Sequence, residues 1–218
     1  MVKLAESMSR LGTETAFEVL ARAAQLEAQG RDIINLGIGQ PDFKTPEHIV
    51  EAAVKALRDG HHGYTPAQGI LPLREAVSRD LNRRHGVEVD PGNVVIMPGG
   101  KPTMFFAVLM FGGPGTEIMY PDPGFPIYRS MIEYIGSKPV PIALREENGF
   151  AFSAEEVLAQ ITPATRLIII NTPGNPTGGA VPKEEIEKLA AGLEKHPDVA
   201  LMSDEIYSQM LYDGRQHE

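Results

Sequence analysis

Four short segments hold residue types that could do chemistry, and each follows an apolar run. Pro98-Gly-Gly-Lys-Pro102 comes after Val94-Val-Ile-Met97 and leads into a helical pattern. Two glycines let the backbone approach an anion, a helix start offers amide donors with partial positive charge, and Lys101 adds a cation. That composition suits a phosphate site and equally a plain tight turn. Asp122-Pro-Gly-Phe-Pro126 presents Phe125 between turn residues, as a core aromatic or as a flat platform for a planar ligand. Asn171-Thr-Pro-Gly-Asn-Pro-Thr-Gly-Gly179 holds Asn175 between Gly174 and Pro176, a placed amide. So many special residues cost backbone stability unless their conformation is used, and a long turn is the plain alternative. Ser203-Asp-Glu-Ile-Tyr207 directly follows Val199-Ala-Leu-Met202 and so puts Asp204 at the end of that run. A carboxylate at a sheet's edge needs a cationic or hydrogen-bonding partner. No basic residue stands near Asp204 in sequence, so that partner is distant or a ligand, and Tyr207 follows three residues later.

Other chemistries fail on the residues. The chain has no cysteine, which excludes disulfides, thiolate metal sites and cysteine nucleophiles. Its six histidines include no His-Glu-x-x-His pattern, and His61 and His62 are adjacent rather than on one helical face, so no metal site is expected. The loop at Lys101 is not a Walker A motif, because Val95 replaces the first glycine and Pro102 follows the lysine. Gly37-Ile-Gly-Gln-Pro-Asp42 is not a dinucleotide fingerprint, since Asp42 takes the third glycine position. With 20 basic against 29 acidic residues, net −9, neither nucleic acid nor an anionic membrane is an expected partner. The longest apolar runs fall far short of the ~20 residues of a spanning helix. The N-terminus lacks the pattern of a secretion signal, and a soluble cytoplasmic protein is expected.

The elements that must position these segments follow from periodicity and punctuation. The chain's 218 residues are 42% apolar with 22 Gly and 18 Pro, which suits a turn-rich globular α/β protein. A helix is expected from Thr15 to Gln29, with Thr15 and Glu18 at capping-box spacing and Gly30 as its stop. A strand at Asp32–Leu36 is followed by loop. The next helix has Thr45 as N-cap, Pro46 at its first position and Gly60 past its end, burying Ile49, Ala52, Ala53 and Leu57. A charged helix ends near His85-Gly86. Strands at 94–97, 117–120, 139–143, 166–170 and 199–202 then alternate with helices at 103–111, 126–135, 153–161 and 182–194. Ser153 is an N-cap with Glu156 three residues on. Such alternation predicts a mostly parallel sheet covered by helices, with ligands beyond the carboxyl ends of the strands, where the four segments lie.

Together with Leu36-Gly-Ile-Gly-Gln-Pro-Asp-Phe43, the segments Gly99-Gly-Lys101, Asn175-Pro-Thr-Gly178 and Ser203–Tyr207 resemble, in order and approximate spacing, the class I/II aminotransferases. These are pyridoxal-phosphate enzymes with the aspartate aminotransferase type of fold, and the likeness runs over essentially the whole chain. It implies that amides at Gly100 and Lys101 hold the cofactor phosphate and that Phe125 stacks on the pyridine ring. It implies also that Asp204 pairs with the protonated ring nitrogen, so that the ring acts as electron sink for a carbanion at the substrate Cα. Asn175 and Tyr207 would hydrogen-bond the ring's 3-oxygen, and Gly39 and Asn175 look like part of the substrate carboxylate site. Tyr64, in His62-Gly-Tyr-Thr-Pro66, matches a tyrosine that reaches the neighbouring subunit's phosphate, which implies a homodimer.

The resemblance implies a division into an N-terminal segment, 1–44, and a cofactor-binding large domain, 45–218, incomplete at its C-terminus. The family's Schiff-base lysine lies some tens of residues beyond the Ser-Asp-Glu-Ile-Tyr motif, and here no lysine follows Lys195. None of the eight lysines substitutes for it: Lys101 belongs to the phosphate loop and the others sit outside all four segments. The expected function is amino transfer from an amino acid to a 2-oxo acid, with this chain a fragment inactive by itself. A C–S lyase of the same fold, a non-catalytic pyridoxal-phosphate-binding or regulatory module, and a protein binding another phosphorylated ligand through Gly99-Gly-Lys101 are the alternatives.

Overall fold

The computed structural model describes residues 2–12 and 15–217, apart from the side chains of Thr15 and Phe17. The chain divides into two compact units, residues 1–14 with 103–218, and residues 15–102. Position 44/45 lies inside the second.

The larger unit is built on four strands, β1 (Glu117–Asp122), β2 (Lys138–Ala143), β3 (Thr165–Asn171) and β4 (Ala200–Asp204). All pair in parallel, in the order β2-β1-β3-β4. The side chains of β1 and β3 alternate between two apolar layers. Ile118, Tyr120, Leu167 and Ile169 face one, which they share with Val108 and with Tyr128, Met131 and Ile132. Met119, Ile168 and Ile170 face the other, with Ala154, Val157 and Leu189. Burial on both faces explains why β3 reads Leu-Ile-Ile-Ile without alternation. The covering helices are α4 (Gly100–Phe111) and α5 (Pro126–Tyr134) on the first layer, α6 (Ala154–Ala159) and α7 (Lys183–Leu193) on the second. Ser153 caps α6 as its spacing predicts, accepting from the Glu156 amide at 3.4 Å.

The smaller unit holds α1 (Thr15–Glu27), α2 (Glu47–Arg58) and α3 (Leu71–His85). Gly86 closes α3 in a left-handed conformation, its amide donating to the Asn82 carbonyl. The capping box expected at Thr15 rests on a side chain outside the described residues.

Four local expectations are corrected here. Residues 32–36 and 94–97 form no strand; the Ile96 amide donates to the Gln68 carbonyl, but neither segment joins the described sheet. An apolar run supplies strand propensity, whereas a ladder needs a neighbour. Leu36 is 91% exposed. At α2, Pro46 rather than Thr45 occupies the N-cap, with no side-chain cap bond, and none of the expected stripe is buried. Periodicity identifies an apolar face without supplying what covers it.

Candidate functional site

In the order β2-β1-β3-β4 the chain leaves β1 for β2 on one side and returns to β3 on the other. The carboxyl ends of β1 and β3 therefore flank a topological switch point, the place where open α/β sheets bind ligands. The loop after β1 carries Phe125 and the loop after β3 carries Asn175, while β4 itself ends on Asp204.

Glycine at 124 is what allows the first loop to turn so sharply. A Cβ there would stand 2.1 Å from the Pro121 carbonyl oxygen, and backbone cannot yield cheaply. Phe125 follows as the N-cap residue of α5 and is half-buried. The second loop is tied down by Asn171, the buried last residue of β3. Its side-chain oxygen accepts from the Asn175 amide at 2.8 Å, and its side-chain nitrogen donates to the Asp204 carbonyl at 2.9 Å. One amide thus fixes the Asn175 loop to the end of β4. The special residues of 171–179 serve a defined conformation, with Gly178 donating back to Gly174 at 2.7 Å and Thr172 Oγ1 accepting from the Val181 amide at 3.0 Å.

Asp204 is paired with Asn171 in the sheet register and is half-buried. Its Oδ2 accepts from the Tyr128 hydroxyl at 2.6 Å, and its Oδ1 accepts from the Ile206 amide at 3.2 Å, an Asx turn. Both donors are neutral. Among the described residues no Lys, Arg or His forms an ion pair with this carboxylate. Burial, and next the hydrogen bond to Asp204, push the Tyr128 phenol far above the usual tyrosine range; the Asp204 and Tyr207 charges act in the same direction. Tyr207 lies half-buried in the turn that follows.

Of the residues predicted from sequence, Phe125, Asn175, Asp204 and Tyr207 all belong to the larger unit, at the carboxyl ends of its strands. Gly100 and Lys101 open the first turn of α4, which begins three residues earlier than the expected helix start, with Gly99 before them at φ +100°. Pro102 falls within that first turn, where a missing amide is tolerated. In the smaller unit Tyr64 and Gly39 are both exposed. Two residues were missed. Tyr128 stands three positions after Phe125 in the first turn of α5, and no signal in the sequence ties its hydroxyl to Asp204, 76 residues on. Asn171 ends the apolar run of β3, where a buried amide must find partners on both of its faces.

Comparison with known proteins gives a consistent answer. The sequence profile described as "Aminotransferase class I and II" matches residues 31–218. The chain is 35% identical over 216 residues to an aspartate aminotransferase of Bacillus subtilis, covering 99% of this chain and 55% of that protein. It is 40% identical over 196 residues to an aspartate/prephenate aminotransferase of Thermus thermophilus, covering 90% and 51%. The solved structure of a Thermus thermophilus aspartate aminotransferase with maleate superposes with a TM-score of 0.94 at 37% identity, over 100% of this chain and 57% of that one. A Pyrococcus furiosus alanine aminotransferase gives 0.93 at 29% identity, over 99% and 55%. The chain spans about half the length of the curated relatives it matches.

Proposed function

Because this chain belongs to the class I and II aminotransferase family, we propose that it supplies the cofactor-ring site of an enzyme moving an amino group from an amino acid to a 2-oxo acid. Members of the family depend on pyridoxal phosphate. Asp204 is the observation on which the proposal rests. It is a half-buried carboxylate at the carboxyl end of a parallel sheet, met by two neutral donors and by no cation among the described residues. A carboxylate has about four lone-pair positions, so acceptor capacity is left for a protonated ring nitrogen.

When bound, the cofactor supplies an electron sink for charge developing at the substrate Cα. The chain's own residues bind and orient. Asp204 keeps the proton on the ring nitrogen, because separating an ionised acid from its cationic partner in a half-buried site is costly. Phe125 offers its face to the ring. Asn175 and Tyr207 hydrogen-bond the ring 3-oxygen, amides at Gly100 and Lys101 hold the phosphate, and Gly39 with Asn175 takes the substrate carboxylate. Tyr64 reaches the phosphate of a neighbouring subunit, so the working protein is a homodimer, and its location is cytoplasmic.

The Schiff-base lysine belongs, in the same proposal, to polypeptide beyond the 218 residues, and the large domain runs over 45–218 and onward. The test is product analysis on the intact protein supplied with pyridoxal phosphate, amino acids and 2-oxo acids. Transfer of the amino group into a new amino acid is expected. Release of pyruvate and ammonia without transfer would replace this function with C–S lysis. Cofactor binding with neither reaction, and without a borohydride-reducible adduct, would replace it with a non-catalytic module.

A further inference from the structure

Phe125 and Asp204 touch the same buried side chain. Tyr128 is 1% exposed, on the first turn of α5. Its ring meets that of Phe125 edge-on, with centroids 5.8 Å apart and planes at 86°. Its amide donates to the Phe125 carbonyl at 3.1 Å. Its hydroxyl, at the other end of the ring, donates to Asp204 Oδ2 at 2.6 Å. The ring shares a core with Ile118, Leu167 and Ile169 of the sheet and with Met131 and Ile132 of its own helix, so it cannot swing away without opening that core. A strand-end carboxylate otherwise has free rotation about its last bond, and an O–H donor at this distance to an ionised acceptor is among the strong hydrogen bonds.

We propose that Tyr128 is a positioning residue of the ring site, one buried phenol that sets both the seat of the Phe125 platform and the orientation of the Asp204 carboxylate. The inference rests on the proposed function, because it supposes that these two groups grip one planar ring. Three observations in the same unit converge on it: the edge contact, the short hydroxyl bond and the burial. Burial also disfavours ionisation of the phenol, which keeps it a donor rather than a second anion facing Asp204. The Ile206 amide alone would leave Oδ2 unmet and the carboxylate free to turn.

The experiment compares binding of pyridoxal phosphate with that of its analogue in which carbon replaces the ring nitrogen, on the intact protein and on Tyr128→Phe and Tyr128→Leu. Tyr128→Phe deletes the hydroxyl and keeps the ring. It is expected to weaken pyridoxal phosphate about tenfold, as loss of one hydrogen bond to a charged group would, with analogue binding unchanged. Tyr128→Leu is expected to weaken both ligands, since the platform loses its edge contact. If the wild type prefers pyridoxal phosphate and Tyr128→Phe keeps the same ratio, the positioning role is overturned while the proposed function stands. If the wild type has no preference, the pairing of Asp204 with the ring falls, and the inference falls with it. A second readout needs no cofactor: the ¹³Cζ resonance of Tyr128 is expected to move in Asp204→Ala, and an unmoved resonance overturns the inference.

Discussion

A half-buried carboxylate is costly unless donors meet it, and at Asp204 those donors are a phenol and a backbone amide. The phenol has a pH signature of its own. Tyr128 is raised in the folded state above its ordinary value of 10.0. Its contribution to stability is therefore intact below about pH 10 and is lost as pH rises beyond it, where the unfolded phenol ionises first. Urea unfolding should show stability falling above pH 10, with a shallower fall in Tyr128→Phe; Tyr120, raised mainly by its own burial, keeps part of the slope in that variant. Identical alkaline limbs would contradict a buried, hydrogen-bonded phenol. Glu117 gives the opposite sign. The hydrogen bond from Lys138, then that from Thr162, holds its carboxyl below the ordinary value of 4.5. This contribution is present above that value and lost as pH falls through the folded one. Glu117→Gln should flatten the acid limb of the stability profile without moving the alkaline limb. Asp204 was readable from sequence as an acid in need of a partner, but Tyr128 was not, because a helical tyrosine pattern does not say which strand end its hydroxyl meets.

At the scale of elements, the loop after β1 shows how a turn places a side chain. Gly124→Ala forces a Cβ against the Pro121 carbonyl at a position where the neighbour is backbone. The substitution should cost about 1–3 kcal/mol in urea unfolding, in the range of overpacked sites, and should disturb the near-ultraviolet signal of Phe125 and Tyr128. An unchanged unfolding midpoint would contradict the tight turn. The four paired strands were legible within one or two residues because their apolar runs are short and bounded by turn residues. The runs at 32–36 and 94–97 look the same in sequence and pair with nothing in the described sheet. Composition reports a residue's preference for a ladder, and only topology supplies the neighbour. The apolar stripe of α2 fails in the same way: 3.6-residue periodicity found the face, and Ile49 and Leu57 on it are exposed.

For the whole molecule, the parallel order β2-β1-β3-β4 turns three scattered motifs, those of Phe125, Asn175 and Asp204, into one end of a sheet. Alternation of strand and helix made that architecture legible, since parallel strands need helical crossovers. Strand order was not legible, because it depends on which edge each crossover chooses. Gly100 and Lys101 stand in the first turn of α4 instead of a loop before it. The curated relatives are about twice as long as this chain. In the proposed function Asp204 receives the protonated ring of pyridoxal phosphate. Titration of pyridoxal phosphate into the intact protein and into Asp204→Ala, followed by absorbance, tests it most directly. Binding at least about tenfold weaker in Asp204→Ala is predicted, as loss of a partly buried charge partner would give. Equal affinity in the two proteins would contradict it.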